Sequence, residues 1–108
     1  MSSFPAERPT IEFVGELTIK TVATAHQRLV DAFGDAPASL TADVADDAAV
    51  DLTFVQLVES ARRTAHEAGL TFSLLRPAAG QLRETLERGG FLAAAEDQEF
   101  WLMQSEDR

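Results

Sequence analysis

A chain of 108 residues has room for one hydrophobic core and not for two. Its 45% hydrophobic and 25% charged residues are the balance of a folded globular protein and argue against disorder. Eighteen acidic residues against nine basic ones leave a net charge of −9, which repels phosphate backbones and anionic lipid. Nucleic acid and membrane surfaces are thus poor partners, and a basic patch on another protein is the natural counterpart. The lack of any cysteine excludes disulfides, thiolate metal sites and cysteine nucleophiles. No apolar run approaches the ~20 residues needed to span a bilayer, so no direct membrane insertion is expected. Met1-Ser2-Ser3-Phe4-Pro5 has no basic stretch leading into an apolar one, which points to a cytoplasmic protein.

Residues 1–9, with Pro5 and Pro9, read as an N-terminal arm, and residues 10–104 as the domain. Ile11 and Phe13 alternate with Glu12 and continue into Val14, the pattern of a first strand that Gly15 ends. Val22, Ala25, Leu29 and Phe33 then share one face of a helix over 21–33, which Gly34 and Pro37 close. Residues 39–44 form a second strand, and 45–50 an acidic, alanine-rich connection.

The next helix spans 54–68, with Phe54, Val58, Ala61, Ala65 and Ala68 facing inward and Gly69 as its stop. Residues 70–75 read as a buried strand. Pro77 opens a third helix in which Leu82 and Leu86 face the core and Gly89-Gly90 end it. Phe100-Trp101-Leu102-Met103 suggests a last short strand. The order β-α-β-α-β-α-β, with room for one more strand near the first, predicts an α/β domain. Its sheet would be mixed, of four to five strands, with helices packed against it.

Few residues form a constellation for catalysis. Asp43, Asp46, Asp47 and Asp51 lack the alternate spacing and bend glycine of a calcium loop, so they read as a solvated acidic stretch and not as a metal site. His26 and His66 fall on the polar sides of different helices. Neither a phosphate-cradling glycine loop nor a serine or threonine nucleophile with a nearby base is present. Receiver domains resemble the chain in size and alternation, but they need a lysine after a late strand, and the only lysine here is Lys20. No catalytic residue, metal or cofactor is expected, and the protein is read as a non-enzyme.

The segment Asp51-Leu52-Thr53-Phe54-Val55-Gln56-Leu57 carries the most information. Thr53 with Gln56 has the form of a capping box, and Leu52 with Leu57 that of a hydrophobic staple. As the cap, Thr53 would contribute about 1 kcal/mol. Asp43 in a strand, Asp51 eight residues on and a hydroxyl opening a helix together resemble the STAS domain of anti-sigma factor antagonists. Gly15-Glu16-Leu17 is similar to that family's G-E-L-D segment, with Thr18 at the aspartate position. The stretch from Gly69 to Leu75 and the helix ending before Gly90-Phe91 are similar to its later motifs. Leu52 and Phe54 depart from it, standing where the family's D-S-S-G-type turn has a small serine and a glycine.

The resemblance spans about residues 10–103. It implies a regulatory module that binds an anti-sigma factor acting as a GHKL-type serine/threonine kinase, with Thr53 as the phosphorylated residue. Asp46, Asp47, Asp51, Leu52, Thr53 and Gln56 would form the partner-binding rim. An alternative within the same resemblance is a small subunit docking on the ATPase of a phospholipid-transporting ABC system. Another is a chemotaxis-linked signalling adaptor that is not phosphorylated.

Overall fold

The structure, a computed structural model, describes residues 9–35 and 37–103. The expected arm lies outside the described residues except for Pro9, whose carbonyl accepts the Thr41 N–H at 2.9 Å. In chain order the elements are β1 (Thr10–Phe13), β2 (Glu16–Leu17), α1 (Val22–Gly34), β3 (Ser39–Val44) and β4 (Ala49–Val50). These are followed by α2 (Leu52–Ala68), β5 (Thr71–Leu74), α3 (Gly80–Gly89) and α4 (Ala95–Leu102). The fold is α/β.

Its sheet differs from the mixed one expected. Among the described residues β1, β3 and β5 form a three-stranded sheet in that order, β2 and β4 form a separate pair, and every pairing is parallel. One register change divides the two. Phe13 pairs with Val44 and Glu16 with Ala49, so the break has two more residues on the β3 side than on the β1 side. The surplus bulges out as the turn at 45–48, closed by the Ala48 N–H on the Ala45 carbonyl.

Paired residues of parallel strands project to the same side, so the register sorts the two faces. Ile11, Phe13, Leu40, Ala42, Val44, Phe72 and Leu74 share one face, which α1 and α2 cover. Phe13 meets the Phe54 ring edge-on at 5.4 Å, and Arg28 of α1 stacks over it at 5.0 Å. Thr10, Glu12, Ser39, Thr41, Asp43, Thr71 and Ser73 occupy the other, polar face.

In α2 the stripe of Phe54, Val58, Ala61 and Ala65 is buried as its spacing predicts, but it runs out there and Ala68 is exposed. Gly69 ends the helix at φ +75°, a left-handed conformation that glycine adopts without steric penalty. Leu82 and Leu86 are buried in α3.

Three other expectations need correction. The strand at 70–75 is not buried throughout: among the described residues β5 is an edge strand, and Leu75 projects with Thr71 and Ser73 toward the polar face and is exposed. Pro77 does not open α3. The Ala78 N–H donates to the Trp101 carbonyl at 2.8 Å and Ala79 is extended, which holds the chain straight until Gly80. The expected last strand is α4. Glu96 and Asp97 sit in its first turn, where the helix dipole favours acids, and its end buries Trp101 and Leu102. No helix among the described residues is long and apolar enough to cross a membrane.

Candidate functional site

The start of α2 is built around Asp51. Its backbone is extended, and its Oδ1 accepts the N–H groups of Thr53 at 3.0 Å and Phe54 at 3.4 Å. Its Oδ2 accepts the Ile19 N–H at 3.0 Å, from the loop between β2 and α1. Asp51 is therefore the helix cap, and one carboxylate also clasps a loop 32 positions earlier in the chain.

This corrects the expected capping box by two positions. Thr53 lies inside the first turn, so Gln56 is not its reciprocal partner. With the cap at Asp51, the staple positions are Val50 and Val55, both buried, in place of Leu52 and Leu57. A hydroxyl at Thr53 offers a single acceptor atom, whereas the two carboxylate oxygens of Asp51 serve helix and loop separately.

What remains at this end of the molecule is accessible. Thr53 is half-buried, and its hydroxyl has no hydrogen bond among the described residues. Leu52 is 45% exposed and Ile19 is 69% exposed, so two large apolar side chains flank the hydroxyl-bearing turn. Gln56 is exposed one turn further on. The loop carrying Ile19 is fixed from within: Thr21 accepts the Thr18 N–H at 3.1 Å and donates to the Glu16 carbonyl at 2.7 Å.

A cleft of about 400 Å³ opens beside this turn, between the start of α2 and the end of α3, and is lined by Asp51, Leu52, Thr85 and Arg88. Gln81 of α3 accepts the Val50 N–H at 3.0 Å and so fixes α3 against β4. Arg88 forms no ion pair among the described residues, which leaves a free cation beside the α2 terminus. Sequence reasoning missed Arg88 and Thr85. No local pattern links them to Asp51; only the docking of α3 on β4 does.

The rest of the expected rim is organised differently. Asp46 and Asp47 are exposed in the turn before β4. Arg76 donates to Asp43 at 2.8 Å and lies 3.8 Å from Asp46, so it neutralises part of the acidic stretch. The hydrogen bond with Asp43, then the charges of Asp43 and Asp46, raise the Arg76 guanidinium above its ordinary pKa. Asp51, Leu52 and Thr53 thus stand together at the start of α2 with Gln56 one turn on, while Asp46 is engaged by Arg76. His26 and His66 are exposed on separate helices. Among the described residues no group of three or more His, Asp or Glu is placed to hold a metal ion.

No family model, curated protein or solved structure matches this chain.

Proposed function

We propose that this chain is a regulatory protein-binding module of the STAS type, acting in the cytoplasm as an anti-sigma factor antagonist. Its partner on this reading is an anti-sigma factor that is also a serine/threonine kinase. The observation that carries the reading is the Thr53 hydroxyl, without a hydrogen bond among the described residues, in the first turn of α2 next to exposed Leu52, with the loop of exposed Ile19 held by Asp51 at the same helix end. Because Asp51 is occupied as cap and clasp, chemistry at Thr53 need not disturb the fold.

A phosphate there would add about −1.5 to −2 charges to a surface whose contact residues are apolar. Leu52 and Ile19 would then present a strongly hydrated anion to any partner surface shaped for them. The α2 terminus would favour that anion on the free protein, and Arg88 adds a positive charge to the cleft beside Leu52. Binding and phosphorylation therefore oppose each other. The exposure of Leu52 and Ile19 also suits a permanent contact, as in a subunit docked on a transporter ATPase.

Pull-down from the native host with the wild type, Thr53→Ala and Thr53→Asp separates the two. A switch predicts that Thr53→Ala retains a kinase partner and Thr53→Asp loses it. Equal recovery of the same partner by all three variants would exclude the switch.

A further inference from the structure

Among the described residues the three-stranded sheet ends at β5, and the outer edge of that strand has no partner strand. The Thr71 N–H donates to Ala38 at 3.1 Å and the Leu75 N–H to Ala42 at 2.9 Å, so alternate residues of β5 face β3. The N–H and C=O groups of Phe72 and Leu74 therefore point outward. None of the four has a backbone partner among the described residues. Such an edge is a template for another strand unless it is covered.

Among the described residues no strand pairs with it, and α4 packs beside it. A groove of about 640 Å³ follows β5, with Thr41 and Ser73 on the sheet side and Glu96, Glu99, Phe100 and Met103 of the α4 segment opposite. Thr41 is only 6% exposed, and its hydroxyl has no hydrogen bond among the described residues. A buried hydroxyl without a partner is unfavourable, and a polar group entering the groove would relieve it. Leu75 and Met103 add exposed apolar surface, and the carboxylates of Glu96 and Glu99 form no ion pair among the described residues.

We infer that β5 is a strand-addition site for an extended segment of another protein in which basic and apolar residues alternate. Main-chain hydrogen bonds to Phe72 and Leu74 supply the pairing. The apolar side chains meet Leu75, Phe100 and Met103, and the basic ones meet Glu96 and Glu99. A second copy of this chain is a poor occupant, because pairing two β5 edges brings two sets of Glu96 and Glu99 together in molecules of net charge −9. The site shares no residue with the Thr53 turn and does not depend on the function proposed for it.

The probe is the peptide acetyl-Arg-Val-Arg-Val-Arg-amide, titrated by calorimetry and by amide-resolved NMR. Its control is the same peptide N-methylated at alternate amides, which keeps the charges and removes the donors facing β5. Binding should slow hydrogen exchange at the Phe72 and Leu74 amides at least tenfold. N-methylation should weaken binding at least tenfold, and so should the double variant Glu96→Lys/Glu99→Lys, whose positions are exposed. Thr53→Asp should leave the affinity within twofold. The inference fails if neither peptide binds, if both bind equally, or if the shifted amides lie at 45–48. Protection of Phe72 and Leu74 that rises with protein concentration alone would also overturn it, in favour of a second copy.

Discussion

Trp101 donates its indole N–H to Oε2 of Glu59 across 3.0 Å, joining the last helix to the middle of α2 over 42 positions of sequence. Arg62 tightens the same junction, contacting Glu59 and Asp97 at 3.1 Å each while stacking over Phe100 at 4.3 Å. Trp101 is fully buried, so removing its acceptor strands a donor away from water. Glu59→Leu should destabilise the protein by about 1–3 kcal/mol in urea denaturation. Glu59→Gln keeps an acceptor oxygen and should lose clearly less. Equal losses would mean that charge, and not the hydrogen bond, matters at this junction.

The two carboxylate oxygens of Asp51 make a prediction that separates it from Thr53. Asp51→Ala removes the cap of α2 and frees the Ile19 loop, and should lower stability by about 0.5–2 kcal/mol. Thr53→Ala should change it by less than about 0.5 kcal/mol, because the hydroxyl caps nothing. Denaturation midpoints of the two variants in one buffer decide this. The opposite ranking would restore Thr53 as the cap.

Gly80 begins α3 at φ +59°, and a Cβ there would collide with the backbone carbonyl oxygen of Asp46. Backbone cannot yield as a side-chain tip can. Gly80→Ala should therefore lose more than about 1 kcal/mol, from strain at positive φ combined with displacement of the 45–48 turn. Gly34→Ala, where a Cβ meets nothing within 4 Å, is the control and should be close to neutral in thermal unfolding.

Leu82 and Leu86 are both buried on the inward face of α3. Alanine at either should lower stability by about 2–5 kcal/mol, with the larger loss where neighbouring side chains relax least into the cavity. Chemical denaturation checks this, and a change under about 0.5 kcal/mol would mean that α3 is not packed as described.

The inward stripe of α2 and the glycine that ends it could be read from sequence because period and stop signal agreed. The start of the same helix could not be. Asp51 and Thr53 are both good capping residues two positions apart, and each frame offers an apolar pair for the staple. What decides between them is Ile19, whose N–H needs an acceptor and lies far away in sequence. At the C-terminal end, Phe100, Trp101 and Leu102 form a contiguous apolar run, which carries no period and suits strand or helix alike. The turn of α4 is settled by Glu59 and Arg62 of α2, which receive Trp101 and Phe100. The cleft residues Thr85 and Arg88 were invisible for a related reason: an unpaired arginine in a helix looks like any solvated one until another element is docked beside it.

Because every strand pairing among the described residues is parallel, those residues hold no hairpin from which folding could begin. Joining Phe13 to Val44, or Leu40 to Phe72, closes a loop of about thirty residues that contains a helix, and the entropy of that closure is lost before any ladder bond repays it. No pair of strands can persist alone while the rest is searched. α1 and α2 must settle onto the apolar face as the strands align, so sheet and helices are expected to form in a single cooperative event, slower than in a helical bundle of equal length.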